Sequence, residues 1–289
     1  MNFRDLRYQR FNSAFARQAL GLMFRPGRSY SVCFGPLRGL KLQYDRSINF
    51  HTILGLWDAE TFRILNRLFV KDRLLPRNST IADIGGNVGY YSMWFAKIAG
   101  ARSVYTFEPN PDVFRILQAN IELNRLKNVE LVPEACGDHT GTTDFYVAPH
   151  HHSSSLHADW AGGGEVQHAR RITVPLTTLD SFFANETGRP APDLLKIDIE
   201  GGGTFALPGC RHLLAESRPF LLVESHTPDE DRAISNVLCG FDYSGYRLND
   251  RKWVGKSGST HPDREGVWGT LLLTPAEHKA RVAMSLEAV

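Results

Sequence analysis

The sequence predicts an α/β domain: a doubly wound, mostly parallel sheet of seven strands, preceded by a helical and β-hairpin extension. Three observations carry this. A short apolar run, Thr80–Ile84, passes through Gly85 and Gly86 into Val88, Tyr91, Phe95 and Ile98, whose spacing is helical. Beyond Glu108, apolar runs of strand length alternate with helical patterns, as βαβ units do. The 289 residues, 42% hydrophobic, suffice for one sizeable α/β core with an accessory segment.

Residues 1–75 read as an N-terminal extension and cap. Phe3, Leu6, Phe11, Phe15, Ala19 and Leu22 fall among Arg4, Arg7, Arg10 and Arg17, an amphipathic helical pattern with a basic face. Such a face packs on its own domain, meets a partner subunit, or touches a membrane surface peripherally. Arg25-Pro26-Gly27 breaks the pattern, and short extended runs between Tyr30 and Tyr44 predict a hairpin. Asp58–Leu68 predicts a helix capped by Asp58, with Phe62, Leu65 and Phe69 inward and Pro76 beyond its end.

Residues 76–278 form the main domain. Its strands are Thr80–Ile84, Ser103–Phe107, Val129–Ala135, Asp193–Ile199, Pro219–Glu224, and a closing pair, Phe241–Leu248 and Val267–Leu273. Helices are expected over Pro111–Asn124, from Thr204, and over Asp229–Leu238. Residues 141–175 exceed what a crossover needs. Gly141–Val147 and Arg171–Val174 predict an inserted ribbon. Between them lie His150, His151, His152, His157 and His168, with Ser153–Ser155 and Gly162–Gly164. Adjacent histidines cannot all face one ion and no cysteine completes a tetrahedral set, so a polar lid is expected there. Residues 279–289 are a tail.

Net charge is +2 with no sustained basic run, so nothing in the charge pattern points to nucleic acid. Cys33, Cys136, Cys210 and Cys239 are scattered without a C-x-x-C pair and read as reduced thiols. No apolar run reaches transmembrane length and the N-terminus is too charged for a signal peptide, so the expected location is cytoplasmic.

The glycine loop is not a dinucleotide fingerprint, because Asn87 stands at the second glycine of G-x-G-x-x-G. The pattern is D-x-G-x-x-x-G, with Asp83, Gly85 and Gly89. A carboxylate there repels a pyrophosphate but suits an ammonium or sulfonium. Glu108 ends the second strand 25 residues after Asp83, where an acid can accept both hydroxyls of a ribose. S-adenosylmethionine carries both cationic groups and no phosphate. The cofactor residues are therefore Asp83, Gly85, Gly86, Asn87, Gly89, Glu108 and Pro109, with Cys136 and Gly137 where an adenine ring would lie.

Methyl transfer asks the protein to position an acceptor and to manage its proton. Asp198 and Glu200 end the fourth strand, at the sheet edge where ligands of open α/β sheets bind. Asp198 is expected to place the cofactor's methionine end or the acceptor, the alternative being carboxylates that serve a helix start. His226 follows the fifth strand at the same edge, and an ordinary imidazole pKa near 6.5 suits a general base. Glu224 can orient it. Asp198, Glu224 and His226 have the chemistry to hold a metal, although none is assigned. Gly255-Lys256-Ser257 lacks the first glycine of a P-loop and reads as a turn.

The chain also resembles the FkbM-type methyltransferases. The resemblance lies in Asp83-Ile-Gly-Gly-Asn-Val-Gly-Tyr-Tyr-Ser92, Phe107-Glu-Pro-Asn-Pro111, Ser153-Ser-Ser-Leu156, Leu195-Lys-Ile-Asp-Ile-Glu-Gly201 and Val223-Glu-Ser-His226, in that order. Gly55-Leu-Trp-Asp-Ala-Glu60 is similar to the family's segment before its first strand. The resemblance implies a class I, Rossmann-like S-adenosylmethionine-dependent O-methyltransferase. Its acceptor would be a hydroxyl of a secondary metabolite, sugar or glycan. Two residues depart from it: Gly86 replaces a usual alanine, and Gly203 replaces a usual acid. The missing acid keeps a cofactor-binding protein without turnover as an alternative, beside a nucleic-acid or protein methyltransferase.

Overall fold

The computed structural model describes residues 24–45, 50–148, 154–156, 169–255 and 269–288. The amphipathic N-terminal pattern and the histidines between 150 and 168 lie outside the described residues. The extension contributes a two-stranded hairpin, β1 (Ser29–Ser31) and β2 (Lys41–Gln43), and helix α1 (Ala59–Leu65), continued by a π turn through Lys71. The main sheet is built from β3 (Thr80–Ile84), β4 (Ser103–Phe107), β5 (Val129–Val132), β9 (Leu194–Ile197), β10 (Phe220–Ser225), β11 (Tyr243–Arg247), β12 (Lys252–Trp253) and β13 (Gly269–Pro275). A second sheet is built from β6 (Ala135–Cys136), β7 (Gly141–Val147) and β8 (Arg170–Thr177).

The main sheet has the order β12-β11-β13-β10-β9-β3-β4-β5. Strands β10, β9, β3, β4 and β5 run parallel, and β13 inserts antiparallel between β10 and β11. Seven of these are the expected strands, and the two-residue β12 adds an eighth at the edge. The chain runs outward from β3 to β5, then returns to place β9 on the other side of β3. The strand order therefore reverses between β3 and β9, which is where open α/β sheets place ligands.

One expected strand is shorter than the sequence suggested. β5 stops at Val132 because Pro133 has no N–H to continue the ladder. The chain then leaves the main sheet, and β6 pairs with β8 instead. Cys136 thus belongs to the ribbon sheet and does not end a main-sheet strand.

The two faces of the sheet bury separate cores. Helix α2 (Tyr90–Lys97) puts Met93, Trp94 and Phe95 on one face, with Leu117 of helix α3 (Pro111–Leu123) and the extension's Val32, Leu42, Phe62 and Leu65. On the other face Leu195, Ile197 and Leu221 meet Leu207, Leu214 and Ile234. Short helix α4 (Gly203–Ala206) and helix α5 (Pro228–Gly240) cover this second face. Thr227 caps α5 by accepting from the Glu230 N–H, and Pro228 occupies its first turn. Helix α6 (Lys279–Glu287) returns Val282 to the first core. The extension is tied to α3 as well, since Asn124 and Asn120 accept from the N–H groups of Lys41 and Gln43 at 2.8 and 2.6 Å.

Candidate functional site

The carboxyl ends of β3 and β4 hold the acids read from the sequence. Asp83 is fully buried, and Ser92 donates to its Oδ2 at 2.6 Å while Thr106 donates to Ser92 at 3.0 Å. Its other oxygen, Oδ1, lies 3.4 Å from Lys196 Nζ. The positive charge that Asp83 faces thus comes from the chain itself. Gly85 and Gly86 both donate to the Phe107 carbonyl, at 3.0 and 2.9 Å, which folds the loop over the end of β4. Gly85 sits at φ 80°, and a Cβ there would fall 2.0 Å from the Asp198 carbonyl oxygen. At Gly86 a Cβ would fall 2.1 Å from Thr106 Cγ2. The threonine methyl occupies the room an alanine would need, which accounts for that departure from the family.

Glu108 accepts from the backbone N–H groups of Asn87, at 3.0 Å, and Asn110, at 2.9 Å. Burial pushes its carboxyl up to about 7 against those two donors. Beside it opens an apolar cavity of 350 Å³ lined by Pro109, Pro111, Phe114, Pro133, Ile172 and Val174. Cys136 is not part of this opening. It is 3% exposed and belongs to the apolar layer that includes Leu179, Phe183 and Leu207, and the Gly137 N–H is bonded to the Thr177 carbonyl.

Lys196 links the two sides of the site. Its ammonium lies 3.4 Å from Asp83, 3.2 Å from Asp198 Oδ2, 3.3 Å from the Gly85 carbonyl and 4.8 Å from the centre of the Tyr91 ring. Burial opposes its charge, but Asp198 and Asp83 outweigh that and raise its pKa. Tyr91 in turn donates to Asp58 at 3.0 Å. Asp58 does precede α1, yet its side chain makes no capping bond and φ is 48°. It is part of the site and not the cap expected of it. Sequence reading assigned no role to Lys196, although a lysine inside an otherwise apolar strand, two residues before an acid, was the visible signal.

At the ends of β9 and β10 a single imidazole is ringed by acids. His226 Nε2 lies 3.7 Å from Asp198 Oδ1, 3.8 Å from Glu200 Oε1 and 3.7 Å from Glu224 Oε1, and Nδ1 lies 3.6 Å from Glu230 Oε2. Glu230, which the sequence reading left out, accepts from the N–H groups of Gly203 at 2.9 Å and His226 at 2.7 Å. A Cβ at Gly203 would come within 2.8 Å of Glu230 Oε1. A carboxylate therefore stands beside Gly203 after all, delivered by α5. Glu200 is held at φ 49° with its carbonyl accepting from Ser155 Oγ at 2.6 Å. This places Ser155 at the site edge.

The proton balance of this ring departs from expectation. Burial disfavours a charged imidazole, but Glu230, Glu200, Asp198 and Glu224 together push His226 up to about 10. Burial and Asp198 push Glu224 up to about 8. Burial also raises the Asp198 carboxyl, yet Lys196 and His226 hold it below its ordinary value. These acids favour the protonated imidazole, so His226 must give up that proton before it can accept one from an acceptor or bind a cation.

Residues 83–248, more than half of the sequence, match the methyltransferase FkbM domain family. The chain belongs to that family. Two curated relatives are similar to it: Methyltransferase 1 of Beauveria bassiana (strain ARSEF 2860), 25% identical over 149 residues, and Hexuronic acid methyltransferase AglP of Haloferax volcanii, 26% identical over 157 residues. The matches take in 46% and 54% of this chain and, in each case, 59% of the relative. The FkbM chain thus spans under two thirds of the length of these relatives. A crystal structure of Methyltransferase FkbM from Methylobacillus flagellatus KT superposes with a TM-score of 0.47 at 17% identity, over 81% of this chain and 56% of that one. Family membership bears out S-adenosylmethionine as the cofactor. The donor set fits it: Glu108, at the end of β4, is a carboxylate able to accept ribose hydroxyls, the glycine loop is folded tightly over that strand end, and Asp198 offers a carboxylate to a cationic group. Among the described residues no helix is long and apolar enough to cross a membrane.

Proposed function

We propose that this chain transfers a methyl group from S-adenosylmethionine to a hydroxyl of a small molecule, a neutral sugar or glycan unit in preference to an anionic one. The observation that carries this is the carboxylate face at the ends of β9 and β10. Asp198, Glu200 and Glu224 are each about a quarter exposed, at 27, 26 and 28%, so they are open to a ligand. Partly exposed carboxylates are strong acceptors for hydroxyl donors. Asp198, held below its ordinary pKa by Lys196 and His226, would repel a carboxylate or phosphate on the acceptor. The relative named as a hexuronic acid methyltransferase supports a sugar, although its acceptor is anionic.

The cofactor, when bound, supplies an electrophilic methyl and a neutral leaving group. Glu108 would accept the ribose hydroxyls, and the apolar cavity beside Pro109 suits the adenine ring. The acid excess around Asp198 would favour the sulfonium and ammonium charges. On the acceptor side, the carboxylate that takes the hydroxyl's hydrogen bond aims the oxygen and receives its proton as the new bond forms. Lys196 helps hold the Asp198 carboxyl below its ordinary pKa and lies 3.4 Å from Asp83.

The test is turnover of methyl-labelled S-adenosylmethionine against neutral sugars, uronic acids, nucleic acid and protein substrates. The expected product carries the label on oxygen of a neutral sugar, read by NMR. Label on nitrogen or carbon of a nucleic acid or protein would overturn the reading.

A further inference from the structure

We propose that Asp198, Glu224 and His226, with Glu200 as a fourth donor, form a binding site for one divalent cation of the manganese or zinc kind. One oxygen or nitrogen from each of Asp198, Glu224 and His226 lies within 4.8 Å of the others. The cluster is more than a patch of acids, because a histidine stands at its centre. His226 is 7% exposed, its buried Nδ1 has no hydrogen-bond partner, and its Nε2 stands 3.7–3.8 Å from three carboxylate oxygens. A histidine kept only for an ion pair would close on one carboxylate to about 2.7–2.9 Å. Instead three oxygens from three residues stand off the same Nε2 at 3.7–3.8 Å. That leaves an imidazole aimed at a gap walled by oxygen donors. An ion with bonds of about 2.0–2.2 Å would draw those donors inward by a fraction of an ångström.

The remaining atoms are arranged as a metal site requires. Asp198 gives Oδ2 to Lys196 and points Oδ1 at the imidazole, so one oxygen is committed and the other is turned to the gap. Nδ1 of His226 faces Glu230 Oε2, the outer carboxylate that commonly orients a ligating histidine. Glu230 is itself anchored by two backbone N–H groups. Mixed carboxylate and imidazole donors select manganese or zinc over calcium, which takes oxygen alone. The role given to the ion, holding and acidifying the acceptor hydroxyl, rests on the methyl-transfer reading. The site itself does not.

The experiment is calorimetric titration of manganese chloride into the chelator-treated full chain, with the spin-resonance signal of free manganese as a second readout. S-adenosylhomocysteine binding is measured on the same sample. One manganese per chain is expected, weakened at least tenfold by Glu224→Gln and by His226→Asn. Glu224 is partly exposed and Gln keeps its shape, so this variant carries the test should His226→Asn not fold. No saturable binding at millimolar manganese, or binding that survives Glu224→Gln unchanged, overturns the site. Cofactor product bound without manganese rejects this inference alone. Manganese bound without cofactor product rejects the methyl-transfer reading and leaves the site standing.

Discussion

Asp83 and Glu108, at the ends of β3 and β4, already accept hydrogen bonds from the chain itself. Asp198, Glu200 and Glu224, at the ends of β9 and β10, surround an imidazole they do not reach. The cofactor side is preorganised, with its loop fixed to the Phe107 carbonyl and its acids fixed to Ser92, Asn87 and Asn110. The acceptor side sets Asp198, Glu200 and Glu224 around an imidazole that none of them closes on, with Lys196 bonded to Asp198. A preorganised half loses little freedom when its ligand arrives. A half whose acids stand off their imidazole must rearrange when a cation, whether a sulfonium, an ammonium or a metal ion, enters among them.

The comparison breaks most readily at Gly85. It is the one loop residue whose Cβ would meet the backbone across the β3–β9 switch, and its φ of 80° disfavours any side chain. Gly85→Ala is expected to destabilise the protein by about 2–5 kcal/mol, from left-handed strain plus overpacking. Cofactor binding should be lost with it. A urea midpoint within experimental error of the parent would show that the loop is not fixed by that contact.

On the other side the sensitive residue is Glu230. Its removal in Glu230→Ala leaves the Gly203 and His226 N–H groups buried without partners. Each such group costs about 1–3 kcal/mol, so a loss of roughly 2–6 kcal/mol is expected. The same contact predicts a coupling. Gly203→Glu should be poorly tolerated in the parent, where Glu230 fills the space, and better tolerated alongside Glu230→Ala. Additive effects in that cycle would mean that the two positions do not share a place.

This pairing shows what the sequence could and could not disclose. Asp83, the glycine loop and Glu108 were legible because strand, loop and helix follow one another locally, and the acids fall at fixed offsets from them. His226, Asp198 and Glu224 were legible as a group because each ends an apolar run at the same sheet edge. The absent acid at Gly203 looked like a deficit, since nothing local signals that Glu230, 27 residues on, folds back onto it. Cys136 was misplaced for a related reason: the break at Pro133 moves it to another sheet, and strand periodicity carries no record of which sheet a run joins. The rise in the His226 pKa was beyond reach altogether, because it depends on four acids from the turn after β9, from β10 and from α5.

The finest test of the preorganised half is its response to pH. Burial raises Glu108 to about 7, well above an ordinary glutamate. The neutral form is therefore favoured in the folded, ligand-free protein. Its contribution to stability is fully present below the unfolded pKa near 4.5 and is lost as pH rises through about 7. Cofactor binding has the opposite sign, because only the ionised carboxylate accepts both ribose hydroxyls without donating a proton of its own. Affinity for S-adenosylhomocysteine should thus strengthen by about tenfold between pH 6 and 8. Other groups titrate in that range, so the decisive quantity is the difference between the parent and Glu108→Gln, measured by calorimetry at each pH. The Gln variant should bind more weakly and with a flatter profile. If its pH slope matched the parent's, the slope would belong to the acids around His226 and Glu108 would be ionised throughout.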